Sequence, residues 1–183
     1  MVDIKRQVFF SFHYEEDVWR ASQVRNMGVV EGQKFFSDNS WEKVRYKDDR
    51  SIKKWIDDEM KMRSCLVVLI GNQTYSRKWV QYEIQQAWKL RKGIVGIYIH
   101  NLEDSSGHQT IKGKNPFDGF CIDKTFNYIA SHSIPADNNE IPLELICEAY
   151  DPQWLTSKNV YTDIKDNIND LIEKAITIRN MYP

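Results

Sequence analysis

Only three cysteines occur in 183 residues, and Cys65, Cys121 and Cys147 form an odd, widely spaced set without a Cys-x-x-Cys pair. That spacing supplies neither a disulfide framework nor a zinc motif, so the thiols are expected to be reduced and mostly buried. Long apolar runs are missing too: nothing approaches the ~20 residues needed to cross a bilayer. The opening MVDIKRQVFF lacks the apolar core and small-residue cleavage site of a secretory signal. A cytoplasmic protein with no membrane association is therefore expected. His100, His108 and His132 have no partner at metal-ligand spacing, which predicts no metal. No low-complexity tract, internal repeat or long block of one charge sign appears. With 42% apolar and 28% charged residues, intrinsic disorder is excluded on composition.

The net charge of −1 is unevenly distributed. Residues 1–92 carry 18 Lys and Arg against 13 Asp and Glu, whereas residues 93–183 carry 7 against 13. That asymmetry is too small for a nucleic-acid-binding face, which requires a strongly basic patch or stripe. The length fits a single domain over 1–183 with its own core. The pattern divides it into a core of about 5–101, a loop or insertion over 102–142, and a last strand with a C-terminal helix over 143–183.

Short apolar runs alternate with amphipathic stretches, as expected of helices packed on a mostly parallel sheet. A first strand is predicted at Val8–Phe12, near-continuously apolar as a strand buried on both faces should be. A helix over Glu15–Met27 follows, with Glu15, Glu16 and Asp17 in its first turn, where they complement the helix dipole. A short strand at Lys34–Ser37, a polar loop over 38–49 and a helix from Ser51 to Met62 come next. The run CLVVLI, Cys65–Ile70, is the clearest strand, and Gly71 ends it. Ser76 is placed to cap a third helix running to about Lys92. Ile94–Ile99 and Leu143–Tyr150 read as further strands, and a final helix spans about Asn159–Met181. The fold class is thus α/β, a doubly wound, mostly parallel sheet of about five strands with helices on both faces, of the flavodoxin-like kind.

In such sheets ligands bind beyond the carboxyl ends of the strands. The segments leaving strands one, two and three gather there, which brings Phe10, Ser11, His13, Trp41, Ser76, Trp79 and Glu83 to one edge. Trp79 and Glu83 stand four apart on one helix face. Aromatic side chains suit a flat base or a ribose, and a carboxylate suits sugar hydroxyls or a developing cation. Ser11 and Ser76 either contact a ligand or satisfy backbone groups at a strand end and a helix cap. His13 is either a proton-transfer group or a loop residue.

The opening QVFFSFHYEED is similar to the first strand and loop of Toll/interleukin-1 receptor (TIR) domains. TYSRKWVQYEI resembles their Ser-x-x-Trp-x-x-x-Glu segment, whose glutamate is catalytic in NAD-cleaving members. With the CLVVLIG strand, these pieces resemble the TIR-like subunit of the Thoeris antiphage defence system more than receptor TIR domains. The resemblance covers about residues 5–101. The loop SDNSWEKVRYKDD stands where receptor members carry Arg-Asp and Pro-Gly, so receptor-type adaptor docking is not implied.

What the resemblance implies is an antiphage enzyme that breaks the nicotinamide–ribose bond of NAD and cyclises the product into an ADP-ribose-type signal for a separate effector. Glu83 would be the catalytic carboxylate, and Phe10 and Trp79 the walls that position the ring. NAD is then substrate and no cofactor is needed. Self-association and a phage-derived trigger are further implications. Two other readings stay open: a non-catalytic TIR-like assembly module, and a nucleoside deoxyribosyltransferase-like enzyme that also uses a glutamate at a sheet edge.

Overall fold

Three runs of residues buried from end to end set the frame: VFFS forms β1 (Val8–Ser11), CLVVLI forms β2 (Cys65–Ile70) and GIVGIY forms β3 (Gly93–Tyr98). Strands without a solvent face belong in a parallel sheet covered on both sides. The computed structural model, which describes residues 5–32 and 46–183, shows that sheet. β1, β2, β3 and a two-residue strand at Ala149–Tyr150 lie in that order, all parallel, with Val8 opposite Cys65, Cys65 opposite Gly93 and Gly96 opposite Ala149.

Alternate residues of the strands feed two cores. Phe9, Leu66, Val68 and Ile70 pack with Ile52, Ile56 and Met60 of helix α2 (Asp49–Lys61) and with Val80, Ile84 and Trp88 of helix α3 (Lys78–Lys89). On the other face Val8, Phe10, Val67 and Leu69 pack with Ala21 and Val24 of helix α1 (Tyr14–Asn26) and with Val160, Ile164, Ile168 and Ile172 of helix α4 (Ser157–Asn180). Gly93 permits the close seat of α4: a Cβ there would lie 2.8 Å from the backbone nitrogen of Ile176.

The chain leaving α1 returns along the free edge of β1. The amide of Val8 donates to the carbonyl of Glu31 (2.8 Å), and the amide of Glu31 donates to that of Arg6 (3.0 Å). Glu31 thus pairs in parallel with Gln7, on the side of β1 away from β2. The winding direction therefore reverses at β1, which makes the gap between the carboxyl ends of β1 and β2 the switch point. The strand predicted at 34–37 lies outside the described residues.

Two segments differ from the sequence expectation. The stretch over 102–142 carries a second sheet: β4 (Cys121–Asp123), β5 (Ile129–Ala130) and β6 (Glu140–Pro142), antiparallel in the order β5, β4, β6. Its Ile122, Ile129 and Ile141 pack on the α2/α3 core. The strand expected at Leu143–Tyr150 shrinks to β7, Ala149–Tyr150. Leu143–Leu145 is a 3-10 turn instead, because the carbonyl of Leu143 accepts from the amides of Ile146 (2.9 Å) and Cys147 (2.8 Å). Among the described residues, no helix is long and apolar enough to cross a membrane.

Candidate active site

Strand parity decides which side chains meet at the switch point. Phe9 and Ser11 share one face of β1, the face covered by α2 and α3. Ser11 therefore points toward α3, and its hydroxyl donates to the Glu83 carboxyl. Phe10 has the opposite parity. Its ring lies in the α1/α4 core, where a Cβ on Gly32 would come within 2.5 Å of it. Phe10 is therefore not a wall of the site, contrary to the sequence expectation, and alternation along β1 is the signal that separates it from Ser11.

The entry to α3 also differs from expectation. After β2 the amide of Gly71 donates to the Thr74 hydroxyl (2.9 Å), and a 3-10 turn over Thr74–Ser76 delivers the chain to Arg77, the residue that precedes the helix. Ser76 is not the cap: its hydroxyl donates to the carbonyl of Gln73 (3.2 Å) on the exposed side of that turn. Gly71 is required by its neighbour, since a Cβ there would lie 2.1 Å from Oδ2 of Asp17.

A cleft of about 240 Å³ opens at this edge, lined by Phe12, His13, Tyr14, Glu15, Arg77, Lys78, Trp79, Val80 and Glu83. It brings together three of the predicted residues, His13, Trp79 and Glu83, with Ser11 behind the glutamate. Trp41 lies outside the described residues. Phe12, Arg77 and Lys78 were not singled out by sequence, although each adjoins a residue that was. The lining also carries Arg77, Lys78 and the acidic Glu15; Lys78 is paired with Asp49, and its Nζ lies 4.7 Å from the centroid of Trp79, whose ring meets Tyr82 edge-on at 6.0 Å.

Glu83 is only 5% exposed. Burial pushes its carboxyl up to about 8, and the Ser11 hydroxyl opposes that rise. Near neutral pH the acid is therefore mostly uncharged. His13 is 6% exposed, and burial followed by the charge of Arg77 pulls its imidazole below the usual range. Its Nδ1 is 3.6 Å from Glu16 and has no hydrogen bond among the described residues. A buried acid with a shifted pKa, an uncharged imidazole and an aromatic wall in one cleft form the pattern of a chemical site.

Behind it Asp17 is fully buried and held at 3.2 Å by Arg20. Burial raises Asp17 to about 6 against the pull of Arg20. Arg20 also donates to the carbonyls of Leu102 and His108, both at 2.8 Å, so α1 and the segment after β3 are fastened together. The histidines are not all isolated, as their spacing suggested: Nε2 of His132 lies 2.6 Å from Glu140, and Cys121 is close by.

Residues 9–104 match the family model described as "Thoeris protein ThsB, TIR-like domain". A protein of Bacillus cereus (strain MSX-D12) named "Putative cyclic ADP-D-ribose synthase ThsB1" is 36% identical over 118 residues. That match covers 62% of this chain and 62% of the relative, so the chain spans less than two thirds of the relative's length.

Proposed function

Because this chain belongs to the Thoeris ThsB TIR-like family, we propose that it is an enzyme that cleaves the nicotinamide–ribose bond of NAD and closes the product into a cyclic ADP-ribose-type signal. The observation that carries the proposal is the buried Glu83, hydrogen-bonded by Ser11 at the base of a cleft walled by Trp79 and bordered by Arg77. The relative's name supports the cyclic product.

The chemistry follows from the substrate's charge. Nicotinamide bears a positive charge in NAD and leaves with the electron pair of the C1′–N bond, so no general acid is required and the sugar becomes oxocarbenium-like. Glu83 must be ionised to offset that charge. The pyridinium ring beside it favours the carboxylate, so binding of the cationic half expels the Glu83 proton to solvent. Trp79 flanks the ring, while Arg77 and Lys78 supply positive charge for the diphosphate. A nucleophile from the substrate's own adenosine half then takes the place of water at C1′ and gives up its proton to solvent, and the cyclic product forms without a second substrate.

At about 240 Å³ the cleft is below the roughly 300–1,000 Å³ that encloses a drug-sized ligand. It fits the nicotinamide–ribose half, and the adenosine half extends over the mouth, where a second copy of the chain would complete the enclosure. Self-association, a separate effector that responds to the diffusible nucleotide, and a phage-derived trigger belong to the same proposal.

The test is mass spectrometry of nucleotides in cells expressing the protein or Glu83→Gln, with and without phage challenge. An ADP-ribose-type species made only by the wild type is expected. Its absence in both conditions from folded protein would leave an assembly module. Base exchange on added deoxynucleosides would point to a deoxyribosyltransferase-like enzyme instead.

A further inference from the structure

The three-stranded sheet outside the main fold has one apolar face, and its other face carries chemistry. Ile122, Ile129 and Ile141 turn toward the core, so the residues of opposite parity share the remaining face. Cys121 on β4, paired with Ala130 of β5 and Pro142 of β6, stands there with Glu140, two residues before Pro142. His132, two residues past Ala130, completes the group. The donor atoms of Cys121, His132 and Glu140 all lie within 4.8 Å of one another.

We propose that Cys121, His132 and Glu140 form a binding site for a tetrahedral, borderline-soft divalent cation, zinc being the best match. One sulfur, one imidazole nitrogen and one carboxylate oxygen are the donor types that zinc accepts. A single carboxylate is too few for calcium or magnesium, which require mostly oxygen ligands. Ligand distances of about 2.0–2.3 Å put neighbouring donors roughly 3.3–3.8 Å apart. Nε2 of His132 and Oε2 of Glu140, now 2.6 Å apart, would open by less than about 1 Å, and the sulfur is already within 4.8 Å of both.

The site is braced. The amide of Ala136 donates to Oε2 of Glu140 at 2.7 Å, and Cys121 is fixed in the middle strand. The fourth position falls to water, since the His132 side chain is 39% exposed and opens the group to solvent. On binding, the cation replaces the thiol proton of Cys121, which passes to solvent, and takes the Nε2 lone pair of neutral His132, whose ring proton then sits on Nδ1. Thiolate and carboxylate then balance its two charges. Strands of two and three residues form a weak sheet by themselves, and a metal would fasten them. The Gln85–Ser131 hydrogen bond joins this sheet to α3, the helix of Glu83.

The experiment adds zinc to metal-free full-length protein, with metal content measured after gel filtration and affinity measured against a chromophoric chelator. One zinc per chain is expected, with a rise in Tm of about 5 °C or more at saturating metal. His132→Gln and Cys121→Ser should each weaken zinc at least about tenfold. Cobalt should give a thiolate charge-transfer absorption that Cys121→Ser abolishes. If Cys121→Ser fails to fold, His132→Gln decides, because its half-exposed ring tolerates replacement. No bound zinc in the wild type, or undiminished zinc in folded His132→Gln, would overturn the proposal.

Discussion

The two ends of the sheet are built on opposite plans. At the amino end, Lys5, Arg6, Lys61, Arg63 and Lys92 border a broad open groove of about 960 Å³. Its charges are answered in water: Arg6 pairs with Glu173 at 2.5 Å, each about half exposed, and Lys61 pairs with Asp58 at 3.2 Å. At the carboxyl end the cleft is four times smaller, yet Glu83, Asp17 and His13 are all buried there. Size alone selects the wrong end. Buried ionisable groups cost stability, so a cleft that keeps them is where chemistry is expected.

Removing the Arg20 latch should have the largest effect. Arg20→Met leaves Asp17 buried without its partner and frees the carbonyls of Leu102 and His108. A loss of about 3–5 kcal/mol in denaturant melts is expected, whereas an unchanged midpoint would show that Asp17 finds water.

Glu83→Gln should come next. A drop of about 10²–10³-fold in NAD turnover is expected from the loss of one charge-stabilising group. Its stability should move the other way. The folded carboxyl titrates near 8, above its ordinary 4.5, so the stability tied to the protonated form is full below 4.5 and is lost as pH rises through 8. Glutamine is neutral throughout, so at pH 8–9 the variant should be more stable by about 1–3 kcal/mol. A variant that is inactive and also less stable would contradict the description of Glu83 as a costly buried acid.

A smaller change is expected from Trp79→Ala. Loss of a stacking wall worth about 1–3 kcal/mol should raise KM roughly tenfold or more with little change in melting. Phe10→Ala should do the reverse, costing about 3–5 kcal/mol of stability through the cavity it leaves. Comparable in size is the pH profile. With a carboxyl near 8 in the free protein, kcat/KM should rise about tenfold between pH 7 and 9. Ser11→Ala should move the midpoint upward, since the lost hydroxyl bond favours the charged form.

The smallest effect belongs to the amino end. Arg6→Ala breaks an exposed pair and should cost under about 1 kcal/mol while NAD consumption stays the same. A large loss of activity there would reverse the comparison.

Sequence and structure agree where a pattern runs long enough to be periodic. CLVVLI is a strand over the expected residues, and the helix expected over Ser51–Met62 forms as Asp49–Lys61 with Ile52, Ile56 and Met60 buried. Agreement fails where elements are short. Strands such as Ile129–Ala130 carry no period, so the antiparallel sheet within 102–142 is invisible until its partners are present. Phe10 is a different failure. Its parity with respect to Ser11 is legible in the sequence, and neighbours along a strand point to opposite faces however close they lie in the chain. Ser76 could not be separated from Arg77 as the start of α3, because a turn held by Thr74 shifts the helix entry by one residue.

By itself the sequence determined the α/β class, the three buried strands and the pairing of Trp79 with Glu83 on one helix. These follow from hydrophobic period and local spacing, which act over a few residues. Only the tertiary structure decided that Ser11 meets Glu83 across 72 positions, that burial carries the glutamate to about 8, and that Cys121, His132 and Glu140 converge. Those outcomes depend on strand register and on the exclusion of water, and both exist only once distant segments have packed.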